Sequence, residues 1–115
     1  MQSYRQRYSA NKRYDNTFVL NKTDSNLSLA ARALDPASGR QVEVYTTQPG
    51  IHFYTANHLN NSFIGKQDQF YQQYQGFTLE TNHFPDAPNQ PTFPSTILQP
   101  GETFQETTVY KITTF

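Results

Sequence analysis

The clearest alternation of apolar and polar side chains runs through residues 41–47, which read QVEVYTT. A period of two places Val42 and Val44 on one face and polar or amphipathic side chains on the other, which predicts a half-buried strand. A second β-prone run, residues 27–34, comes before it. The intervening residues 35–39 read DPASG, in which Pro and Gly supply turn geometry. The pattern therefore predicts a β-hairpin.

Four further runs of β-prone residues predict additional strands, separated by breakers such as Pro-Gly pairs. They cover residues 17–20, residues 51–56, the segment around Glu80, and residues 103–114, the last opened by a turn at 100–102. Residues 67–75 carry Phe70, Tyr71 and Tyr74 at a spacing that suits one helical turn. We therefore expect six short strands and one helical turn.

Composition supports strands over a helical bundle. Only 35% of the 115 residues are hydrophobic, and eight Tyr and nine Phe supply much of that fraction. The content of Thr, Tyr, Phe and Val favours short strands, while seven Pro and five Gly interrupt the runs. The predicted fold class is all-β, within the one domain that this length allows.

The charge balance argues against binding to a polyanion. Nine Lys and Arg balance nine Asp and Glu, so the basic surface typical of a nucleic-acid or anionic-membrane binder is missing. Arg5, Arg7, Lys12 and Arg13 cluster near the start, and we interpret them as a solvated segment rather than a phosphate site. The chain has no cysteine, and no apolar run is long enough for a signal peptide or a membrane span. We expect a soluble, cytoplasmic protein.

One carboxylate, Glu80, lies in an apolar strand ahead of a proline-rich loop, in the sequence GFTLETNHFPDAPNQPTFP at residues 76–94. The four prolines of that loop fix φ and leave little backbone freedom to lose on binding. Phe77 and Phe84 are expected to shield the carboxylate from water. Two interpretations remain open from the residues alone, a carboxylate held in a functional site and a solvated carboxylate on a strand surface.

Together with TTQPGIHFYTAN at residues 46–57 and PGETFQETTVYK at residues 100–111, this segment resembles the C-terminal third of the aldose 1-epimerase (galactose mutarotase) family. The resemblance runs from about Tyr14 to the end and implies an antiparallel β-sandwich of the galactose mutarotase type. Residues 1–115 are then the C-terminal part of one larger domain whose N-terminal part is absent. Such a piece leaves sheet edges and an apolar face exposed, which predicts self-association.

The resemblance implies acid/base chemistry on a hexose such as galactose or glucose. Interconverting anomers requires a proton to leave the C1 hydroxyl while another reaches the ring oxygen, so that the ring opens to an aldehyde and recloses. A Glu in the motif that matches residues 77–80 is the family's base, and this role transfers to Glu80. The family's catalytic His, a further His and a sugar-binding Arg lie upstream of the portion that this sequence matches.

Two more positions are candidates for sugar binding. Asp15 matches a family segment whose Asp accepts hydrogen bonds from sugar hydroxyls; the alternative is an Asp that satisfies the backbone of its own turn. His52 stands where family members often carry Gln, and it is either a donor to a hydroxyl or a half-exposed strand residue. His58 and His83 have no motif behind them, and scattered histidines make a poor metal site, so we predict no metal and no cofactor.

Three functional interpretations therefore compete. The first is the C-terminal part of an aldose 1-epimerase that is active once joined to its N-terminal part. The second is a non-catalytic carbohydrate-binding fragment that keeps Asp15 and Glu80 but has no acid. The third is a truncated product without an independent function.

Overall fold

The computed structural model describes residues 13–115, and these form an all-β structure with two short 3₁₀ turns. The strands of the described chain are β1 (Asp15–Val19), β2 (Ser28–Asp35), β3 (Arg40–Thr46), β4 (Gly50–Tyr54), β5 (Thr78–Asn82) and β6 (Thr108–Thr114). The two 3₁₀ turns span Lys66–Asp68 and Ala87–Asn89. The predicted all-β class is confirmed.

The strands pair into two antiparallel sheets of three strands each. In the first sheet β4 lies between β1 and β5, and in the second β3 lies between β2 and β6. Only the β2–β3 pair is a hairpin, so the other pairings join segments that are distant in sequence. We call these the β1–β4–β5 sheet and the β2–β3–β6 sheet.

The predicted hairpin is confirmed, with a turn whose local chemistry explains it. Gly39 has φ of +69°, a left-handed conformation that glycine adopts without a steric penalty. The Asp35 carboxylate accepts hydrogen bonds from the Ser38 hydroxyl at 2.5 Å and from the Ala37 N–H at 3.1 Å. These two bonds lower the pKa of Asp35, and the bond from Ser38 has the larger effect. The turn therefore favours the ionised form of this residue.

The core lies between the two sheets. Ala30, Val44 and Ile51 are buried there, with at least one from each sheet. Side chains alternate between the two faces of a strand, and these three point inward. Around them pack partly buried apolar side chains, namely Phe18, Leu20, Ala31, Val42 and Leu79. Their burial is what holds one sheet on the other.

Part of the inner, apolar side remains uncovered. An open apolar cleft of about 450 Å³ runs beside the core and is lined by residues that include Phe18, Phe53 and Phe77. On β6, an edge strand of the described structure, the residue Ile112 is 80% exposed. The exposed apolar face expected from the sequence is therefore present, together with unpaired strand edges that can template association.

Two element predictions are wrong. Apart from the two residues that belong to the 3₁₀ turn Lys66–Asp68, residues 67–75 form no helical turn, since Phe70 pairs with Ile64 across a small loop and the N–H of Tyr71 donates to the carbonyl of Phe63 at 3.1 Å. The last strand begins at Thr108, five residues later than predicted, because the preceding residues leave the sheet and Phe104 packs against His83. Both errors arose where contacts with residues outside the predicted segment decide the conformation.

Of the basic cluster near the start, Arg5, Arg7 and Lys12 lie outside the described residues. Arg13 is described, and its guanidinium group lies 4.2 Å from the ring centroid of Tyr74, a cation–π contact. Within residues 13–115 no helix has the length and apolar character needed to cross a membrane.

Candidate functional site

The outward face of the β1–β4–β5 sheet brings the three sequence-predicted site residues together. Residues paired in register point to the same side of a sheet, and residues two apart on a strand share that side. Two cross-strand rows therefore lie on this face, the first made of Asp15, Tyr54 and Thr78 and the second of Thr17, His52 and Glu80. The core side chains Phe18, Ile51 and Leu79 occupy the opposite face.

Asp15 and His52 are in direct contact. The Nε2 atom of His52 lies 2.9 Å from Oδ1 of Asp15, and its Nδ1 atom lies 2.9 Å from the hydroxyl oxygen of Thr17. An ionised carboxylate only accepts, so Nε2 carries the proton and donates, and in the neutral ring Nδ1 accepts from the Thr17 hydroxyl. Asp15 is the first residue of β1 rather than part of a turn, and its carboxylate serves a distant side chain.

His58 approaches the same carboxylate from the loop after β4. Its Nε2 atom lies 3.7 Å from Oδ2 of Asp15, and its ring stacks on Tyr54 with centroids 5.9 Å apart. The backbone N–H of His58 donates to the Tyr54 hydroxyl at 2.9 Å. No motif in the sequence predicted a role for His58, and the one available signal was the aromatic residue Tyr54, four positions earlier.

Glu80 is exposed on the edge strand β5, and its carboxylate makes no hydrogen bond or ion pair with another described residue. The expected shielding by Phe77 is wrong, because Phe77 contacts Phe53 on the inner side of the sheet and lines the apolar cleft. Phe84 lies beside Gly50 at the end of the outward face, where an added Cβ would meet its ring at 3.0 Å. Water therefore reaches Glu80 in the described chain.

The proline-rich loop after β5 holds itself in place through Asp86. That carboxylate accepts from the side-chain amides of Asn89 at 2.6 Å and Gln90 at 3.0 Å, and the two bonds lower its pKa. Asn82, two residues after Glu80 on the same face, has a buried side-chain oxygen with no hydrogen-bond partner among the described residues. The loop amides therefore brace the loop, while Asn82 retains an unused acceptor.

The remaining histidine, His83, lies elsewhere and binds the side-chain oxygen of Gln48 through Nδ1 at 2.6 Å. Across residues 13–115 no group of three or more His, Asp or Glu side chains is placed to hold a metal ion. What the outward face does offer is one braced carboxylate, Asp15, and one exposed carboxylate, Glu80. Such a pair can accept hydrogen bonds from hydroxyl groups and take up a proton.

Comparisons with known proteins agree on one family. The family model described as aldose 1-epimerase matches residues 2–111. A human galactose mutarotase is 47% identical over 98 residues, covering 85% of this chain and 28% of the relative, and an Escherichia coli aldose 1-epimerase is 33% identical over 102 residues, covering 87% and 29%.

A solved structure gives the same result for the fold. A GalM/aldose epimerase homologue from C. elegans superposes with a TM-score of 0.77 at 27% identity, covering 89% of this chain and 30% of that one. The chain thus spans less than a third of the length of the relatives it matches.

Proposed function

The chain belongs to the aldose 1-epimerase family, and we propose that it supplies the base-bearing, C-terminal part of an enzyme that interconverts the α and β anomers of a hexose such as galactose or glucose. The observation that carries the proposal is the convergence of Asp15, His52 and Glu80 on one sheet face. These residues come from three strands and lie at least 28 positions apart in the sequence.

Glu80 serves as the general base. It removes the proton from the C1 hydroxyl while an acid protonates the ring oxygen, the bond between C1 and the ring oxygen breaks, and an open-chain aldehyde forms. Rotation about the C1–C2 bond and the reverse proton transfers close the other anomer. An exposed carboxylate without internal partners keeps its lone pairs available for this step, which supports Glu80 in the role.

Asp15 binds sugar hydroxyls on the same face. Its Oδ1 atom is held by His52, whereas its Oδ2 atom lies 3.7 Å from His58, beyond hydrogen-bond distance. Lone pairs on this carboxylate therefore remain to accept from a ligand, and charge-assisted bonds are the stronger kind. His52 belongs to the sugar-binding face as well, between Asp15 and Glu80.

The acid comes from the part of the domain that this chain does not contain. The resemblance implies a His in that part, along with another His and an Arg for the sugar. The open apolar cleft and the unpaired edge of β6 support a larger domain, because each presents surface that a continuing sandwich would cover. In the isolated chain the same surfaces favour self-association.

The test is a chimera in which the N-terminal portion of the human galactose mutarotase is joined to this chain. Its activity is read from the optical rotation of freshly dissolved α-D-galactose, against the N-terminal portion alone and the intact human enzyme. We expect the chimera to accelerate mutarotation and Glu80→Gln to abolish the acceleration. A folded chimera without activity, or a Glu80→Gln chimera with an unchanged rate, would overturn the proposal.

A second candidate is a non-catalytic carbohydrate-binding fragment, which the presence of Asp15 and Glu80 without an acid favours. Titration calorimetry of the chain alone with galactose and glucose tests it, and the absence of heat counts against it. A truncated product without function is the remaining alternative. A cooperative thermal transition from a monomer of this chain would contradict that one.

A further inference from the structure

We propose that Thr17 and His52 act together as positioning residues for Asp15, with the Thr17 hydroxyl fixing the orientation of the imidazole ring that donates to the carboxylate. The contacts themselves are independent of any activity, but their consequence for sugar affinity rests on the proposed function. Nothing in the sequence patterns assigned a role to Thr17, which read only as a β-prone residue of a short strand.

The three residues form one continuous chain of hydrogen bonds. Thr17 and His52 are direct cross-strand partners of β1 and β4, and the two bonds of the imidazole, to Thr17 and to Asp15, are both 2.9 Å long. The Thr17 residue is 5% exposed and the His52 side chain 17%, so water does not readily replace either contact. Asp15, the last member of this series of hydrogen bonds, has a side chain that is 49% exposed and open to a ligand.

The buried hydroxyl of Thr17 needs an explanation. A valine would fill the same space and suits a strand equally well, whereas a buried hydroxyl is costly unless it is hydrogen-bonded. Its side-chain partner among the described residues is Nδ1 of His52. A neutral imidazole has one donor and one acceptor nitrogen, and the bond made by one nitrogen sets the role of the other. Because Asp15 accepts from Nε2–H, Nδ1 is the acceptor nitrogen, and donation from Thr17 to Nδ1 holds the ring in the orientation that Asp15 requires.

This arrangement makes His52 act through Asp15 rather than on the sugar directly. Both ring nitrogens are already bonded, so neither is free for a sugar hydroxyl. With Oδ1 fixed by the imidazole, the carboxylate pays less conformational entropy when a hydroxyl binds. If the Thr17 bond is lost, Nδ1 has no donor from β1, the ring is less firmly held, and Asp15 is less well oriented.

The sharpest variants are Thr17→Val, which removes the hydroxyl at nearly constant shape, and Thr17→Ser, which keeps it. In the chimera described above, we expect Thr17→Val to raise the KM for galactose by roughly three- to tenfold, the usual range for one hydrogen bond, with kcat within about twofold. Thr17→Ser retains the original KM. If Thr17 had a structural role alone, Thr17→Val would lower thermal stability but would not raise KM while leaving kcat unchanged.

NMR of the ¹⁵N-histidine-labelled chimera reads the tautomer without any reference to activity, and a His52→Gln sample identifies the His52 signals. We expect the Nε2–H form in the unmodified chimera, in Thr17→Ser and in Thr17→Val, with the Nδ1 resonance of Thr17→Val shifted because its hydrogen bond is lost. An Nδ1–H form in the unmodified chimera, or a Thr17→Val spectrum identical to it, would overturn the inference. If the chimera lacks activity, the proposed function fails, while the tautomer measurement still decides this one.

A second pair of variants guards against misfolding of Thr17→Val. The amide of His52→Gln can donate to Asp15 and accept from Thr17 at once, whereas His52→Phe can do neither. We expect His52→Gln to keep KM close to the original and His52→Phe to raise it. Equal KM values for these two variants would contradict a positioning role for His52.

Discussion

Glu43 and Glu80 occupy comparable places in the two sheets, yet their surroundings give them opposite properties. Each stands in a row of three cross-strand partners. Glu43 is on the central strand β3 and has Arg32 on one side and Lys111 on the other. Glu80 is on the edge strand β5 and has His52 on one side only. Glu43 is 4% exposed, whereas Glu80 is exposed. Strand position therefore determines how many neighbours each carboxylate meets.

The contacts of Glu43 use up its lone pairs. Arg32 donates from Nε at 2.8 Å and from Nη2 at 2.6 Å to the same oxygen, Tyr45 donates to the other at 3.1 Å, and the Lys111 ammonium lies 3.5 Å from it. The hydrogen bond from Arg32, followed by that from Tyr45 and the nearby positive charges, lowers the pKa of Glu43 despite its burial. A carboxylate held in this way stabilises the fold and is a poor base.

The largest expected effect is on catalysis and comes from Glu80. In the chimera with the human N-terminal portion, Glu80→Gln should lower kcat by roughly 10²- to 10⁴-fold, the usual contribution of a general base. The melting temperature should hardly change, because a substitution at an exposed position without partners costs within about 0.5 kcal/mol. Optical rotation and thermal unfolding of the same sample check both values, and a large loss of stability would contradict the free state of Glu80.

A smaller effect on sugar binding is expected at Asp15, whose carboxylate is partly engaged. Asp15→Asn keeps an acceptor for His52 but removes the charge that strengthens bonds from sugar hydroxyls. We expect the KM for galactose to rise about tenfold with a smaller change in kcat. Steady-state mutarotation over a range of galactose concentrations measures this, and an unchanged KM would remove Asp15 from the binding site.

Glu43→Gln should show the reverse pattern from Glu80→Gln. The substitution replaces the buried carboxylate that Arg32, Lys111 and Tyr45 contact with a neutral amide that cannot accept all of their hydrogen bonds, so the melting temperature should fall by several degrees. The rate of mutarotation should stay within about twofold, since Glu43 lies on the sheet that does not carry the site. Parallel thermal unfolding of the two Gln variants is the check, and a greater loss in Glu80→Gln would reverse the comparison.

The smallest effect is the pH dependence of stability. The pKa of Glu43 in the folded chain lies below its ordinary value of 4.5, so at pH values between the two the unfolded state binds more protons. The stabilisation is complete above about pH 4.5 and is lost as the pH falls through the folded pKa. Urea unfolding at a series of pH values gives the free energy of unfolding as a function of pH. Below pH 4.5 this free energy should fall less steeply with decreasing pH in Glu43→Gln than in the parent. Equal slopes would contradict the lowered pKa.

Local signals explain which parts of the fold were predictable. The β2–β3 hairpin followed from the alternation around Val42 and Val44 and from Gly39, because all of its determinants lie within a few residues. The interpretation failed for residues 67–75, where the aromatic spacing is compatible with a helical turn. There the backbone of Tyr71 pairs with Phe63 instead, a contact that local periodicity cannot reveal.

The candidate site shows the same division. The resemblance selected Asp15, His52 and Glu80 one at a time, each from its own motif. Their common face depends on β4 lying between β1 and β5, a pairing of segments distant in sequence. Thr17 and His58 were missed for this reason, since each gains its contact only when the sheet and the following loop are assembled.

The most direct test of the central claim is chemical rescue of Glu80→Ala by formate in the chimera, measured by optical rotation of α-D-galactose. If Glu80 is the base, Glu80→Ala should lose the catalysed rate, and added formate should restore part of it in proportion to its concentration. The matched Glu43→Ala chimera should show no gain in rate from formate. A Glu80→Ala chimera as fast as the parent, or formate acting alike on both variants, would contradict the account.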